Sequence, residues 1–240
     1  MTPLPWAVYL FDIDGTLVSA GGAGRRALER TLGEDCEALE GRLATLRLDG
    51  MTDRLIVREA MRLLDREFDD ALCDAVLARY VEHLRAEILG PGYTVLPGVE
   101  EVLEVLQGRG ALVALCTGNV VGGALLKLAR GGLDRFFEWG AAAVCGFAAD
   151  GEDREHVVRA ALGRASARLG RALDPREALV IGDTPRDVSA AHAVGIPVLG
   201  VATGRYAEAE LRQAGADHVA PSLADARARR VLFGVPSAPP

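Results

Sequence analysis

Lysine is nearly missing from this chain: Lys127 is the single one, and arginine supplies all the other positive charge. With a formal net charge of −7 and a pI near 5.2, the chain lacks the basic excess that an electrostatic nucleic-acid binder needs. Cysteine is sparse and scattered. Cys36, Cys73, Cys116 and Cys145 form no Cys-x-x-Cys pair and have no histidine cluster beside them, which argues against a zinc site and against a disulfide scaffold. The four histidines, His83, His156, His192 and His218, are dispersed, and none is assigned to catalysis. No apolar run is long enough to span a membrane, and the apolar N-terminus has neither the basic region nor the cleavage site of a signal peptide. A cytoplasmic protein is expected. The glycine-rich stretch Ser19-Ala20-Gly21-Gly22-Ala23-Gly24-Arg25 lacks the terminal Gly-Lys-Ser/Thr of a phosphate-binding P-loop, so a flexible joint is the reading it supports.

Apolar residues, in contrast, make up half of the sequence, enough for a sizeable core. Ala7-Val8-Tyr9-Leu10-Phe11 has the length and content of a buried strand, and it ends abruptly on Asp12, Asp14, Gly15 and Thr16. From 25 to 89 the pattern is helical only, with Leu72, Val76, Tyr80, Leu84 and Ile88 at helical spacing, and it stops at Gly90-Pro91-Gly92. Strand and helix then alternate. Ala111-Leu112-Val113-Ala114-Leu115-Cys116 and Ala178-Leu179-Val180-Ile181 are continuous apolar strands, a further strand covers 196–202, and a short one lies near His218-Val219. Phe136-Phe137-Glu138-Trp139 and 141–145 are expected as short strands. Pro97 and Pro185 open helices.

Such alternation of apolar strands with helices implies an α/β fold with a mostly parallel sheet and helices on both faces. The helical block between two glycine-rich joints reads as an inserted α-helical domain. The expected division is a core of 1–19 and 93–234, a helical insertion of 20–92, and a disordered tail of 235–240.

Three buried strands lead directly into polar residues: Phe11 into Asp12, Cys116 into Thr117, and Ile181 into Gly182-Asp183. In a parallel sheet these ends share one edge, where ligands of open α/β sheets bind. Asp12, Asp14, Thr117, Asp183 and Asp187 can therefore converge. Carboxylates crowded in one crevice repel unless a cation relieves them, and a few carboxylates plus water suit Mg2+ better than a closed calcium cage.

At this point a family resemblance is evident. Asp12-Ile13-Asp14-Gly15-Thr16 after a strand is similar to the first signature of the haloacid dehalogenase-like hydrolase superfamily. Leu115-Cys116-Thr117-Gly118-Asn119 resembles the second, and Gly182-Asp183-Thr184-Pro185-Arg186-Asp187 the fourth. The helical insertion matches the position of the family's cap, in the phosphoglycolate phosphatase-like branch. The resemblance implies a Rossmann-like core and Mg2+-dependent hydrolysis of a small-molecule phosphate ester, phosphoglycolate- or sugar-phosphate-like, through an aspartyl-phosphate. Asp12 would be the nucleophile and Asp14 the acid and base. Asp12, the Asp14 carbonyl and Asp183 would contact the metal, with Asp187 as a further metal-site carboxylate or an outer partner. Thr117, Gly118 and Asn119 would hold the phosphoryl oxygens. A monomer or homodimer is expected, with neither nucleic acid nor membrane as partner.

The third signature of related enzymes is a lysine ahead of the fourth, and this chain has none there. Arg154 is the expected replacement, with Arg159 as the alternative; arginine keeps its charge and binds phosphate bidentately. The cap segment Leu48-Asp49-Gly50-Met51-Thr52-Asp53-Arg54 resembles the active-site-facing segment of related enzymes, so Thr52 and Arg54 are candidate substrate contacts. The competing reading of both is ordinary helix capping. Among rival activities, a phosphosugar mutase keeps the same signatures. A 2-haloacid dehalogenase would not need Asp14, and phosphonate cleavage would need a cap lysine that is missing, since Lys127 lies outside the cap. A non-catalytic phosphate-binding protein is disfavoured by the intact aspartates.

Overall fold

The apolar run at the N-terminus forms β1 (Val8–Phe11), every residue of which is buried. A computed structural model describes residues 3–33, 47–141 and 143–234. β1 lies between β4 (Leu112–Leu115) and β5 (Ala178–Gly182), parallel to both, with Phe11 level with Leu115 on one side and Ile181 on the other. β6 (Val198–Val201) and β7 (His218–Ala220) extend the sheet beyond β5, all parallel. The order β4-β1-β5-β6-β7 reverses direction at β1, so a crevice opens where the chain leaves β1. The register puts the three strand ends at one level: Asp12 N–H donates to the Ile181 carbonyl, and Cys116 N–H donates to the Phe11 carbonyl.

Helices α4 (Val99–Gly108), α5 (Val121–Arg130), α6 (Arg154–Arg168), α7 (Pro185–Val194), α8 (Glu208–Gln213) and α9 (Ala226–Phe233) connect and cover these strands. Their apolar stripes close one continuous core around the sheet.

The chain departs from this core through β2 (Val18–Ala20) and returns through β3 (Tyr93–Val95), which pair antiparallel as a two-stranded ribbon. Between them α1 (Ala23–Gly33), α2 (Asp53–Leu63) and α3 (Asp70–Glu87) build a separate apolar cluster that includes Ala27, Leu32, Val57, Val76 and Leu84. This is the helical cap.

Two expectations need correction. The stretch 19–25 is less of a free joint than its composition implies, because Ser19 and Ala20 pair with the return strand and α1 begins at Ala23. Gly21, at φ +58°, is required by close approach: a Cβ there would lie 2.6 Å from the backbone of Pro91 and Gly92. Phe136-Phe137-Glu138-Trp139 is no strand. Asp134–Phe136 is a 3-10 turn, tied by a hydrogen bond from Trp139 Nε1–H to the Asp134 carbonyl, and its aromatic residues plug the core from a loop. The tail 235–240, Cys36 and part of 141–145 lie outside the described residues.

Candidate active site

Asp12 follows the last residue of β1 and is buried beside Asp183, at the end of β5, and Asp187, in the first turn of α7. One carboxylate oxygen from each lies within 4.8 Å of the others. Local chemistry holds each of them. Thr184 caps α7: its N–H and hydroxyl donate to Asp187 Oδ2 at 2.9 and 2.7 Å, and Asp187 N–H donates back to Thr184 Oγ1. Thr16 Oγ1 donates to Asp183 Oδ1 at 3.1 Å. Gly15, at φ +80°, and Gly204 admit no side chain, since a Cβ at either would fall 2.3 or 1.7 Å from Asp183 Oδ2.

Arg154 opens α6 and reaches into this triad from below: Nη2 lies 2.8 Å from Asp12 Oδ1 and 2.5 Å from Asp187 Oδ1. The same guanidinium donates to the carbonyls of Cys116 and Gly50. Arg159, one turn further on, is exposed. The geometry therefore separates the two arginines that spacing left open. A single arginine does not balance three carboxylates. Burial pushes the Asp12 carboxyl up to about 6 despite the pull of Arg154, and burial with the neighbouring Asp187 and Asp12 pushes Asp183 well above the usual carboxylate range. Asp187 Oδ1 is buried and, apart from its ionic contact with Arg154, makes no hydrogen bond. An all-oxygen, excess-negative donor set fits a hard divalent cation.

The Asp14 carboxylate does not join the triad. Its Oδ2 receives hydrogen bonds from Lys127 Nζ at 2.6 Å and Asn119 Nδ2 at 2.9 Å, and its side chain is 44% exposed. Two aspartates two residues apart thus occupy different environments, one sealed among carboxylates and arginine, the other facing the cavity. Thr117 is fully buried, and its Oγ1 accepts from Asn119 N–H and Nδ2–H. Gly118 and Asn119 line the cavity; Thr117 lies behind them.

The cavity encloses about 480 Å³ between the sheet edge and the cap. Asp12, Asp14, Asp183 and Arg154 form its floor, while Leu28, Ile56, Leu77 and Tyr80 line its cap side, with Arg25 and Arg205 also in the wall. Thr52 and Arg54 do not reach it. Thr52 caps α2 by accepting from Leu55 N–H and donates its hydroxyl to the Glu152 carbonyl. Arg54 is bound to Asp70 and Asp74 of α3. Their segment does face the core, through Gly50, Met51 and Asp53 instead.

Sequence reasoning missed Lys127, Thr203 and Gly204. Thr203 and Gly204 follow β6 without any acidic or catalytic signal; Thr203 Oγ1 donates to the Gly15 carbonyl. Lys127 did carry a signal, because it falls on the same face of α5 as the buried Ala124 and Leu128, where a charge needs a partner.

A sequence model of the haloacid dehalogenase-like hydrolase family matches residues 6–195. The chain belongs to that family. It is 34% identical over 206 residues to a phosphoglycolate phosphatase of Rhodospirillum rubrum, covering 84% of this chain and 81% of that protein. A phosphoglycolate phosphatase of Agrobacterium fabrum is 31% identical over 203 residues, covering 81% and 80%. Among solved structures, the phosphate complex of CbbY from Rhodobacter sphaeroides superimposes with a TM-score of 0.68 at 18% identity, over 92% of this chain and 96% of that one, a likeness of fold. Phosphatases of this family generally use a divalent metal, and the cluster of Asp12, Asp183 and Asp187 could hold one. No helix among the described residues is long and apolar enough to cross a membrane.

Proposed function

We propose that this hydrolase is a Mg2+-dependent phosphatase that cleaves a small-molecule phosphate monoester, phosphoglycolate- or sugar-phosphate-like, through a phosphoryl group held on Asp12. The observation that carries the reading is the contrast between Asp12 and Asp14. A nucleophile must be ionised and aimed, and an acid–base group must reach the ester oxygen from a different side. Asp12, with a pKa near 6, is mostly ionised at neutral pH although buried, and Arg154 fixes one of its oxygens. Its attack on phosphorus forms the acyl-phosphate bond as the ester P–O bond breaks. Asp14 delivers a proton to the departing oxygen, then takes one from the water that hydrolyses the acyl phosphate and releases inorganic phosphate. The backbone about Gly118 would donate to phosphoryl oxygens, while the two amide hydrogens of Asn119 go to Asp14 Oδ2 and Thr117 Oγ1.

Asp12, Asp183 and Asp187 would hold the Mg2+, which supplies compensation for the negative charge gathered on phosphate and carboxylates. Cap closure over the cavity would exclude bulk water from the acyl phosphate. A phosphosugar mutase would use the same residues; hydrolysis comes first because the sequence relatives named above are phosphatases.

The test is phosphate release from a panel of monoesters with and without Mg2+, with a 2-haloacid and a hexose 1-phosphate as controls. The reading expects Mg2+-dependent release that Asp12→Asn reduces by at least about a thousandfold. Activity that ignores chelator, or that survives Asp12→Asn, contradicts it. Net conversion of the hexose 1-phosphate to its isomer selects the mutase.

A further inference from the structure

We infer that Lys127, the chain's single lysine, is a positioning residue for Asp14: it clamps one carboxylate oxygen so that the other is presented to the ester oxygen of the substrate. The inference rests on the phosphatase reading, in which Asp14 is the acid and base.

The ammonium is buried, its side chain only 5% exposed, and taking a compact cation out of water carries a cost that its partners must offset. Its two hydrogen-bond partners are specific. Nζ donates to Asp14 Oδ2 and to Asn119 Oδ1, each at 2.6 Å. Asn119 in turn donates Nδ2–H to the same Asp14 oxygen at 2.9 Å and to Thr117 Oγ1 at 2.8 Å. The three groups close a ring in which Asp14 Oδ2 is held twice. Both hydrogen bonds that the Asp14 carboxylate receives from the described residues converge on Oδ2, and the half-exposed carboxylate faces the cavity. A carboxylate free to rotate would present either oxygen in many orientations; held by one edge, it presents one.

The cap completes this arrangement. Asp53, at the start of α2, accepts from Val120 N–H and adds negative charge near Lys127, as the Tyr80 hydroxyl of α3 packs close by. A side chain starting from Gly24 of α1 would meet Tyr80 Oη at 3.4 Å and Lys127 Nζ at 3.6 Å. Residues of α1, α2 and α3 thus surround one buried cation. Burial opposes the charge, but Asp14, Tyr80 and Asp53 outweigh it and hold the ammonium above its ordinary range, so Lys127 is a fixed cation with no amine available for a Schiff base.

A clamp on the acid matters most when the leaving group needs a proton. The test compares phenyl phosphate, which leaves as a poor anion, with dinitrophenyl phosphate, which leaves without help. Single-turnover release is measured with Mg2+ present and enzyme in excess. Lys127→Met should slow phenol release about 100-fold, within the range of acid–base contributions, and slow dinitrophenolate release less than about threefold. KM should change little, and Lys127→Arg should recover part of the phenol rate. Lys127→Met added to Asp14→Asn should cost nothing further, because the lysine acts through the aspartate. Equal losses on both esters, or additive losses in the double variant, overturn the inference while leaving the phosphatase intact. Wild-type enzyme inert on both esters overturns the phosphatase reading and this role with it. If Lys127→Met does not fold, Lys127→Gln, which keeps a donor without charge, is read against the same outcomes.

Discussion

Gly15 and Gly204 grip Asp183 from two sides, and neither contributes a functional group. Gly204 is the cleaner probe, because its backbone does not need the left-handed region and the three atoms nearest to a Cβ there all belong to the Asp183 side chain. Gly204→Ala should therefore displace Asp183 and weaken Mg2+ binding by at least about tenfold, the scale seen when a metal ligand loses its support. Titration calorimetry of Mg2+ binding, with circular dichroism to confirm the fold, checks this. At this scale the sequence was legible where chemistry and backbone signal coincide. Asp12 and Asp183 stand directly after apolar strands, with Asp14 and Asp187 two and four residues further on, and the meeting of the strand ends follows from a parallel sheet. Arg154 was legible only as one of two arginines, since burial and not spacing separates it from Arg159. Gly204 was invisible, because a glycine whose task is to be small leaves no pattern in a single chain.

At the scale of the element, the N-terminus of α2 is where the cap docks on the core. Asp53 N–H donates to the Gly118 carbonyl at 2.7 Å, Val120 N–H donates to Asp53 Oδ2 at 2.8 Å, and Arg58 pairs with Glu152 at 2.6 Å. Thr52 joins both tasks, as helix cap and as donor to the Glu152 carbonyl. Thr52→Ala should cost about 1–2 kcal/mol of stability by removing a cap and a buried hydrogen bond, and Thr52→Ser should restore most of it. Urea denaturation measures the cost. A KM that rises in Thr52→Ala with unchanged stability would instead restore Thr52 as a substrate contact. The sequence pointed to the correct segment but the wrong atoms. Thr-Asp ahead of an apolar helical run reads equally as a cap or as a ligand, and the choice depends on what lies opposite. That is tertiary information, as it is for Phe136 and Trp139, whose strand-like composition is overridden by a 3-10 turn.

For the whole molecule, charge buried in the crevice links pH, metal and stability. Asp12 and Asp53 have folded-state pKa values raised to about 6 from 3.8, both chiefly by burial. A raised carboxyl pKa means the folded protein binds protons that the unfolded chain does not. The associated stability is present in full below the unfolded value and is lost as pH rises through about 6. Without metal, these two groups should make the protein more stable near pH 5 than near pH 7, by an amount on the order of 1 kcal/mol each. Asp53→Asn, which keeps an acceptor for Val120 N–H without the charge, should raise Tm over wild type at pH 7, by a margin that narrows as pH falls through about 6 and closes only below the unfolded carboxyl value. Mg2+ competes with protons at Asp12, so its stabilisation should fade as pH drops below about 6. Melting curves with Mg2+ or chelator across this range decide both points. The two apolar clusters, one around the sheet and one in the cap, were legible as a helical block set into an alternating pattern, whereas the charge balance between them was not. The central claim is that phosphoryl transfer passes through Asp12. Mass spectrometry of acid-quenched enzyme, after mixing with Mg2+ and a cleaved phosphate monoester, tests it most directly. The account predicts one phosphoryl group on the peptide carrying Asp12, removed by hydroxylamine and absent in Asp12→Asn. Phosphate release with no phosphorylated Asp12 at any quench time would contradict it.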